Sequence, residues 1–175
     1  GYNLYFLPSS YELQLIYDVL VAGYGLGSFT SAYYWSSTYD MAVHMGTGLE
    51  YNGGEISHTY RVRAIRTFTS KEVYALRSAG PGGGLIFKIV SLGNDAYFYY
   101  QVAISDQSAG YIWANSVSLW TDDTLQDIGA GKANTLSILK GVFFRDGAAL
   151  IASQYLIDSP ETLVDLFVKS KMKKL

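Results

Sequence analysis

The chain has 175 residues, 49% apolar and 16% charged, a balance that excludes an intrinsically disordered segment and suits one domain with a sizeable core. A net charge of −2, with no dense basic stripe before the last few residues, speaks against nucleic-acid binding, and the lack of cysteine excludes disulfides, thiol nucleophiles and Cys-ligated zinc. No apolar run is long enough for membrane insertion; the longest, Leu13 to Leu26, is interrupted by Asp18 and by glycines.

Ser9 and Glu12 have capping-box spacing, and Leu13, Ile16, Tyr17 and Leu20 follow on one helical face. The pattern predicts a helix over residues 10–22, stopped at Gly23, then loop through Gly23-Tyr24-Gly25-Leu26-Gly27. Residues 32–68 read as short strands and long turns. Tyr33-Tyr34-Trp35 and Met41 to Met45 are strand-like, and Thr47-Gly48 and Asn52-Gly53-Gly54 mark turns. Tyr60 to Phe68 reads as one alternating strand, with Val62, Ala64, Ile65 and Phe68 apolar and Arg61, Arg63 and Arg66 interleaved. Such a strand has one face on the core and its charges outside or paired; an anion site is the alternative.

Glu72 to Leu76 reads as a weaker strand. Gly80 to Gly84 is a tight turn into Leu85 to Val90, the best strand in the chain, and Leu92-Gly93-Asn94-Asp95 returns it as a hairpin with Ala96 to Ile104. The glycine-rich turn lacks a Gly-Lys-Ser/Thr ending and leads into a strand, so it offers no helix N-terminus to a phosphate. Tyr111 to Trp120 carries two tryptophans in a loop-rich region. Asn134 or Thr135 is placed to cap a short helix, and Ala148 to Ile157 reads as another. Ser159-Pro160-Glu161 opens a terminal helix, with Leu163, Val164, Leu166 and Phe167 on its apolar face and Lys169, Lys171, Lys173 and Lys174 near its C-terminal end. Its expected role is packing on its own domain or on a neighbouring subunit, with docking on a membrane surface as the alternative.

Little is arranged for catalysis. His44 and His58 are fourteen residues apart, so they form no helical metal pair, and no Gly-x-Ser-x-Gly elbow or EF-hand pattern occurs. Asp122, Asp123 and Asp127 fit a capped turn as well as a carboxylate cluster. The expectation is no active site, no metal site and no cofactor. The 18 glycines and 16 tyrosines suit a loop-rich domain with an aromatic recognition surface, although tyrosine as strand filler explains them equally.

Five phrases stand out together: Leu7-Pro8-Ser9 with Glu12-Leu13, Tyr34-Trp35-Ser36-Ser37-Thr38, Tyr60 to Arg66, Gly80 to Phe87, and Gly129 to Thr135. Jointly they resemble the Lcl C-terminal domain family, in which the last two phrases precede the first three. That order implies a circular permutation, with residues 1–68 as the family's C-terminal half, 79–157 as its N-terminal half, 69–78 as link and 158–175 as a helical tail. The alternative is a slice through a tandem array whose halves are completed by other copies. The start at Gly1 without an initiator Met fits processing or a piece of a longer protein. Permutation places Gly1 beside Ile157, and Tyr60 to Phe68 in one sheet with Leu85 to Val90.

The resemblance implies an α+β, C-type-lectin-like fold: a twisted antiparallel sheet, two or three flanking helices and long loops. Enzymes of that wider fold use catalytic cysteines, which this chain lacks. The implied role is therefore non-enzymatic: a binding or display module on a virion or bacterial surface, such as a phage fibre or decoration protein, recognising a host glycan or protein. A purely structural virion assembly subunit is the alternative. Other virion or surface subunits and a homo-oligomer are the expected partners, without nucleic acid. By the same resemblance the ligand-binding residues are Thr38, Tyr39, Asp40, His44, Thr47, Glu50, Tyr51 and Asn52, whereas Trp35 and the Tyr60 to Arg66 strand are scaffold.

Overall fold

The first regular element is set by two reciprocal hydrogen bonds. In the computed structural model, which describes residues 4–53, 55–115, 124–141 and 145–155, the Glu12 N–H donates to Ser9 Oγ at 3.2 Å and the Ser9 N–H donates to Glu12 Oε2 at 2.7 Å. Helix α1 (Ser10–Ile16) starts there and continues as a π-helical turn, Tyr17–Val21, so the expected helix forms with its second half widened. Leu13, Ile16 and Leu20 are fully buried and Tyr17 is half-buried. Gly23 then takes a left-handed φ of 74°.

Two sheets follow. The five-stranded one contains β1 (Tyr33–Trp35), β2 (Met41–His44), β3 (Glu50–Asn52), β4 (Tyr60–Val62) and β8 (Ser108–Tyr111), in the order β3-β2-β1-β4-β8. Its pairs are antiparallel except for β1 and β4, which run parallel. The three-stranded sheet, in the order β5-β7-β6, is antiparallel and contains β5 (Ile65–Ser70), β6 (Ile86–Gly93) and β7 (Ala96–Val102). The β6–β7 hairpin turns on Asn94 and Asp95, both with positive φ (50° and 56°), the backbone of a type I′ turn that matches strand twist. Helices α2 (Gly131–Lys140) and α3 (Ala148–Ser153) complete the described elements, and the chain is α+β. No helix among the described residues is long and apolar enough to cross a membrane.

The structure corrects three expectations. Tyr60 to Phe68 is not one strand: it breaks at Arg63-Ala64, where the chain leaves β8 as its partner for β7. Ile65 to Phe68 therefore shares a sheet with Ile86 to Val90 across β7, while Tyr60–Val62 does not. Glu72 to Leu76 is turn and loop, because its backbone turns to a side chain: Tyr99 Oη accepts from the Tyr74 N–H and donates to the Glu72 carbonyl. Asn134 and Thr135 lie inside α2 instead of capping it, and both are buried. Their side chains serve backbone groups outside the helix. Thr135 Oγ1 accepts from the Leu7 N–H at 3.0 Å and donates to the Leu7 carbonyl at 3.2 Å, and Asn134 brackets Leu125 in the same two-sided way. Beyond these, β8 forms from Ser-Ala-Gly-Tyr, a segment with little local strand signal for which the sequence predicts no element.

Alternation along β1 sends Tyr34 and Trp35 into different cores. Trp35 joins Leu7, Val62, Trp113, Ile138 and the alanines of α3. Tyr34 joins Leu13, Ile16, Leu20, Val43, Ile65, Phe87 and Val102, between α1 and the three-stranded sheet. Both cores draw on residues from either side of the 69–78 segment. Gly1, Ile157, the expected helix from Ser159, and Asp122 and Asp123 lie outside the described residues. Near the ends, the rings of Tyr5 and Tyr155 meet edge to face with centroids 4.7 Å apart.

The break at Arg63 is held electrostatically. Arg63 Nε donates to Asp106 Oδ1 at 2.6 Å and Arg61 Nη1 donates to Asp106 Oδ2 at 2.7 Å, while the Arg63 side chain is only 2% exposed. Asp106→Asn leaves that buried guanidinium uncompensated and should lower stability by about 3 kcal/mol or more in urea denaturation; a loss below about 1 kcal/mol would show that the pair is not structural. Glu12 makes a second test. Burial pushes its carboxyl up, against the pull of the Ser9, Gly129 and Gly131 amides. Oε1 accepts from the Gly129 N–H at 2.9 Å as Oε2 does from Ser9, so both oxygens are acceptors. Glu12→Gln turns one of them into a donor facing an N–H, and calorimetry should register a loss of about 1–3 kcal/mol.

Candidate functional site

Strand register decides which side chains of the five-stranded sheet share a face. Tyr33 pairs with His44, Trp35 with Ala42, and Ala42 with Tyr51. Tyr34 pairs with Arg61, which places Tyr60 beside Tyr33 and Trp35, and Tyr60 pairs with Tyr111. One face thus carries a row of rings running across all five strands. Centroids are 4.9 Å apart for Tyr33 and His44, 5.6 Å for Tyr33 and Tyr51, 5.2 Å for Tyr33 and Tyr60, and 4.4 Å for Trp35 and Tyr60. His58, from the loop before β4, extends the row at 5.7 Å from Tyr60, and its Nδ1 lies 3.2 Å from Tyr60 Oη.

The row is anchored at one end and open at the other. Trp35 is fully buried, and its Nε1–H donates to the Tyr111 carbonyl at 2.7 Å. Tyr33, His44, Tyr51 and Tyr60 are half-buried, and His58 is exposed. Rings held on strands lose little freedom when a ligand covers them. Asp40 belongs electrostatically to this end. Burial pushes its carboxyl up, the Gly53 amide and His58 partly offset that, and its own charge is among the causes that raise the Tyr60 phenol, after burial and the Tyr51 and Tyr33 rings. Asp40 has a left-handed φ of 59°, and its Oδ1 is buried without a hydrogen-bond partner.

Of the expected site residues, Asp40, His44 and Tyr51 come together here. Thr38 does not: it is buried, with Oγ1 accepting from the Ser10 N–H and donating to the Leu125 carbonyl, which makes it part of the frame. Tyr39 is exposed and stands edge-on to Trp113 at 5.5 Å. Thr47 sits in the turn after β2, its Oγ1 3.3 Å from His44 Nδ1. Glu50 and Asn52 are exposed on β3 but alternate with Tyr51, so they face away from the row. Tyr33, Tyr60 and His58 were not among the expected residues. The signal for the first two was strand alternation, which also needs the β1–β4 register to bring them together.

The arginines between Tyr60 and Phe68 make no open anion site. Arg61 and Arg63 share Asp106, while Arg66 is buried with Nε on Gln101 Oε1 at 2.7 Å and its guanidinium near the Tyr5 and Phe68 rings. Among the described residues no group of three or more His, Asp or Glu converges on a possible metal position. Comparison of the chain with family models, with curated proteins and with solved structures finds no match.

Asp40 combines backbone strain with an unsatisfied oxygen, both costs to folding. Asp40→Gly removes both and should raise the thermal midpoint, corresponding to roughly 0.5–1.5 kcal/mol. An unchanged or lower midpoint would mean that neighbouring groups already compensate the carboxylate.

Proposed function

We propose that this chain is a non-enzymatic binding module that presents the open end of its aromatic row to a glycan, displayed on a virion or bacterial surface as in a phage fibre or decoration protein. The observation that carries the reading is the half-open group of Tyr33, Tyr51 and Tyr60 beside His44, His58 and Asp40. A pyranose ring offers C–H groups to an aromatic face and hydroxyls to phenol, imidazole and carboxylate, and this end of the sheet holds all of those groups on one side.

The surface setting rests on the resemblance of the five phrases to the Lcl C-terminal domain, and with it the C-type-lectin-like reading of the α+β fold. A permuted order is supported by the way the two blocks knit together: Leu7 on Thr135, Glu12 on Gly129, and Tyr5 against Tyr155. Self-association also has a supporting observation, since the edge strand β6 exposes Val90 and Leu92. That favours assembly with further copies or other surface subunits alongside ligand binding.

A glycan array probed with the parent, Tyr33→Ala, Tyr51→Ala and the remote surface variant Val73→Ser tests the reading. The parent and Val73→Ser should bind a common set of glycans, and each tyrosine variant should bind them about tenfold more weakly. Tyrosine variants that bind like the parent would remove the aromatic row from the function.

A further inference from the structure

Asparagine occurs at Asn3, Asn52, Asn94, Asn115 and Asn134, and Asn52 is the one followed by glycine. The fold treats the described ones differently. Asn134 is buried, its Oδ1 accepting from the Leu125 N–H at 3.0 Å and its Nδ2 donating to the Leu125 carbonyl at 2.7 Å. Asn115 Oδ1 accepts from the Arg145 and Asp146 N–H groups at 3.0 and 3.1 Å. Asn94 stands in the tight β6–β7 turn with a φ of 50°, and the residue after it carries a side chain. Asn52 has none of these restraints: it is exposed, and its side chain makes no hydrogen bond with any described residue.

The backbone at Asn52 also opens easily. Strand β3 is three residues long and lies at the edge of its sheet, paired with β2 alone, and Asn52 is its last residue. Gly53 follows with a left-handed φ of 103°, and a Cβ built on it would meet nothing within 4 Å. A short edge strand frays at little cost, and a glycine in open space lets the chain swivel there. The β2–β3 register sets Asn52 opposite Met41, so Gly53 falls beside Asp40, whose carboxylate accepts from the Gly53 N–H. The Gly53 nitrogen thus has an amide carbon on the preceding side chain and a proton acceptor at hand.

We propose that Asn52-Gly53 is a self-modifying site, at which the folded protein deamidates without an enzyme. The Gly53 nitrogen attacks Asn52 Cγ and forms the new C–N bond of a five-membered succinimide. The bond from Cγ to the side-chain nitrogen breaks, and that nitrogen leaves as ammonia with the proton Gly53 gives up. Water then opens the ring at either carbonyl. Opening at Cγ leaves an aspartate; opening at the main-chain carbonyl of residue 52 leaves an isoaspartate, whose backbone runs through Cβ and Cγ. An amide and a water become a carboxylate and an ammonium ion, with no oxidant or reductant consumed. Both products put a negative charge at the edge of β3, on the side facing away from the aromatic row. The isoaspartate also lengthens the main chain by a methylene directly after Tyr51, whose ring lies 5.6 Å from that of Tyr33. The modification therefore reaches the open end of the row through the backbone, whatever the row binds.

The test ages the folded chain in mildly alkaline buffer, beside the same chain unfolded in guanidinium chloride and the variant Asn52→Gln, and maps the peptides by mass. In the folded parent Asn52 should be the first of the described asparagines lost. Two peptides of equal mass, aspartyl and isoaspartyl, should replace it and separate on a column. Its rate should lie within about tenfold of the rate in the unfolded chain, the mark of local opening at an edge, while Asn134 reacts in the unfolded chain alone. Asn52→Gln, at an exposed position, should fold as the parent does and form neither product, since its side chain would have to close a larger ring. A folded chain that keeps Asn52 intact while unfolding releases its reaction, or one that loses Asn94 first, would overturn the proposal. Each outcome is read on the peptide itself and leaves the binding role untouched.

Discussion

The Arg63 guanidinium occupies the point where the chain passes from one sheet to the other, and most of the architecture refers to it. Its Nε donates to Asp106, its Nη1 to the Gly27 and Ala103 carbonyls at 2.9 and 3.1 Å, its Nη2 to the Ser28 carbonyl at 3.3 Å, and its plane lies 4.2 Å from the Phe29 ring centre. Only a planar, multiply donating cation can reach a carboxylate, a strand end and a loop at once, which a lysine ammonium could not do. Burying such a charge is expensive unless its donors find partners and a counter-charge is close; here all three nitrogens donate and the Asp106 carboxylate is in contact. The same carboxylate also holds Arg61 and accepts from the Tyr34 hydroxyl, whose oxygen accepts from the Thr30 N–H. One ionic node therefore fixes β1 and β4 relative to each other, and with them the relation of Tyr33 to Tyr60 across the row.

A second set of bonds joins the start of the chain to the region around α2. Glu12 caps its own helix and also receives the Gly129 amide, so α1 and the entry to α2 are joined by one side chain. Gly131 is required there, because a Cβ on it would come within 2.2 Å of Glu12 Oε2 and 2.9 Å of the Leu7 carbonyl. Thr135 and Asn134 continue the seam toward Leu7, Leu125 and Ser37. These are buried polar contacts whose partners are fully matched, so they specify one docking of the two blocks more strongly than apolar packing alone would. Either block by itself would expose unsatisfied groups along the whole seam.

Local chemistry explains which parts of this were legible in the sequence. The capping box at Ser9 and Glu12 and the paired left-handed residues at Asn94 and Asp95 act within a few residues, so their sequence marks are complete. The interruption at Arg63-Ala64 has no such mark, because the alternation of apolar and charged residues runs through it unbroken. What ends β4 is the Gln107 side chain taking the Ala64 N–H and Ala103 taking its carbonyl, partners some forty residues away. Asn134 and Thr135 look like caps for the same reason that they are useful inside the helix: short polar side chains satisfy backbone groups, and only the fold decides whose. In the candidate site, Tyr51, His44 and Asp40 could be found by following the chain from the Tyr-Trp-Ser-Ser phrase. Tyr60 could not, since it enters by a parallel pairing that skips two intervening strands.

That division extends to the aromatic row. The rings sit at strand positions whose register is tied to the ionic node and to the two cores, so their spacing is as rigid as the fold. The carboxylates sit differently: Asp40 ends the turn before β2 in a strained conformation, and Glu55 lies on the loop before β4 with its side chain in solvent. A change in strand register would flip the rings to the opposite face and destroy the core with them. A change of charge at either turn costs the fold little. The aromatic geometry is thus coupled to stability, whereas the charge at these turns is carried by residues outside the regular strands.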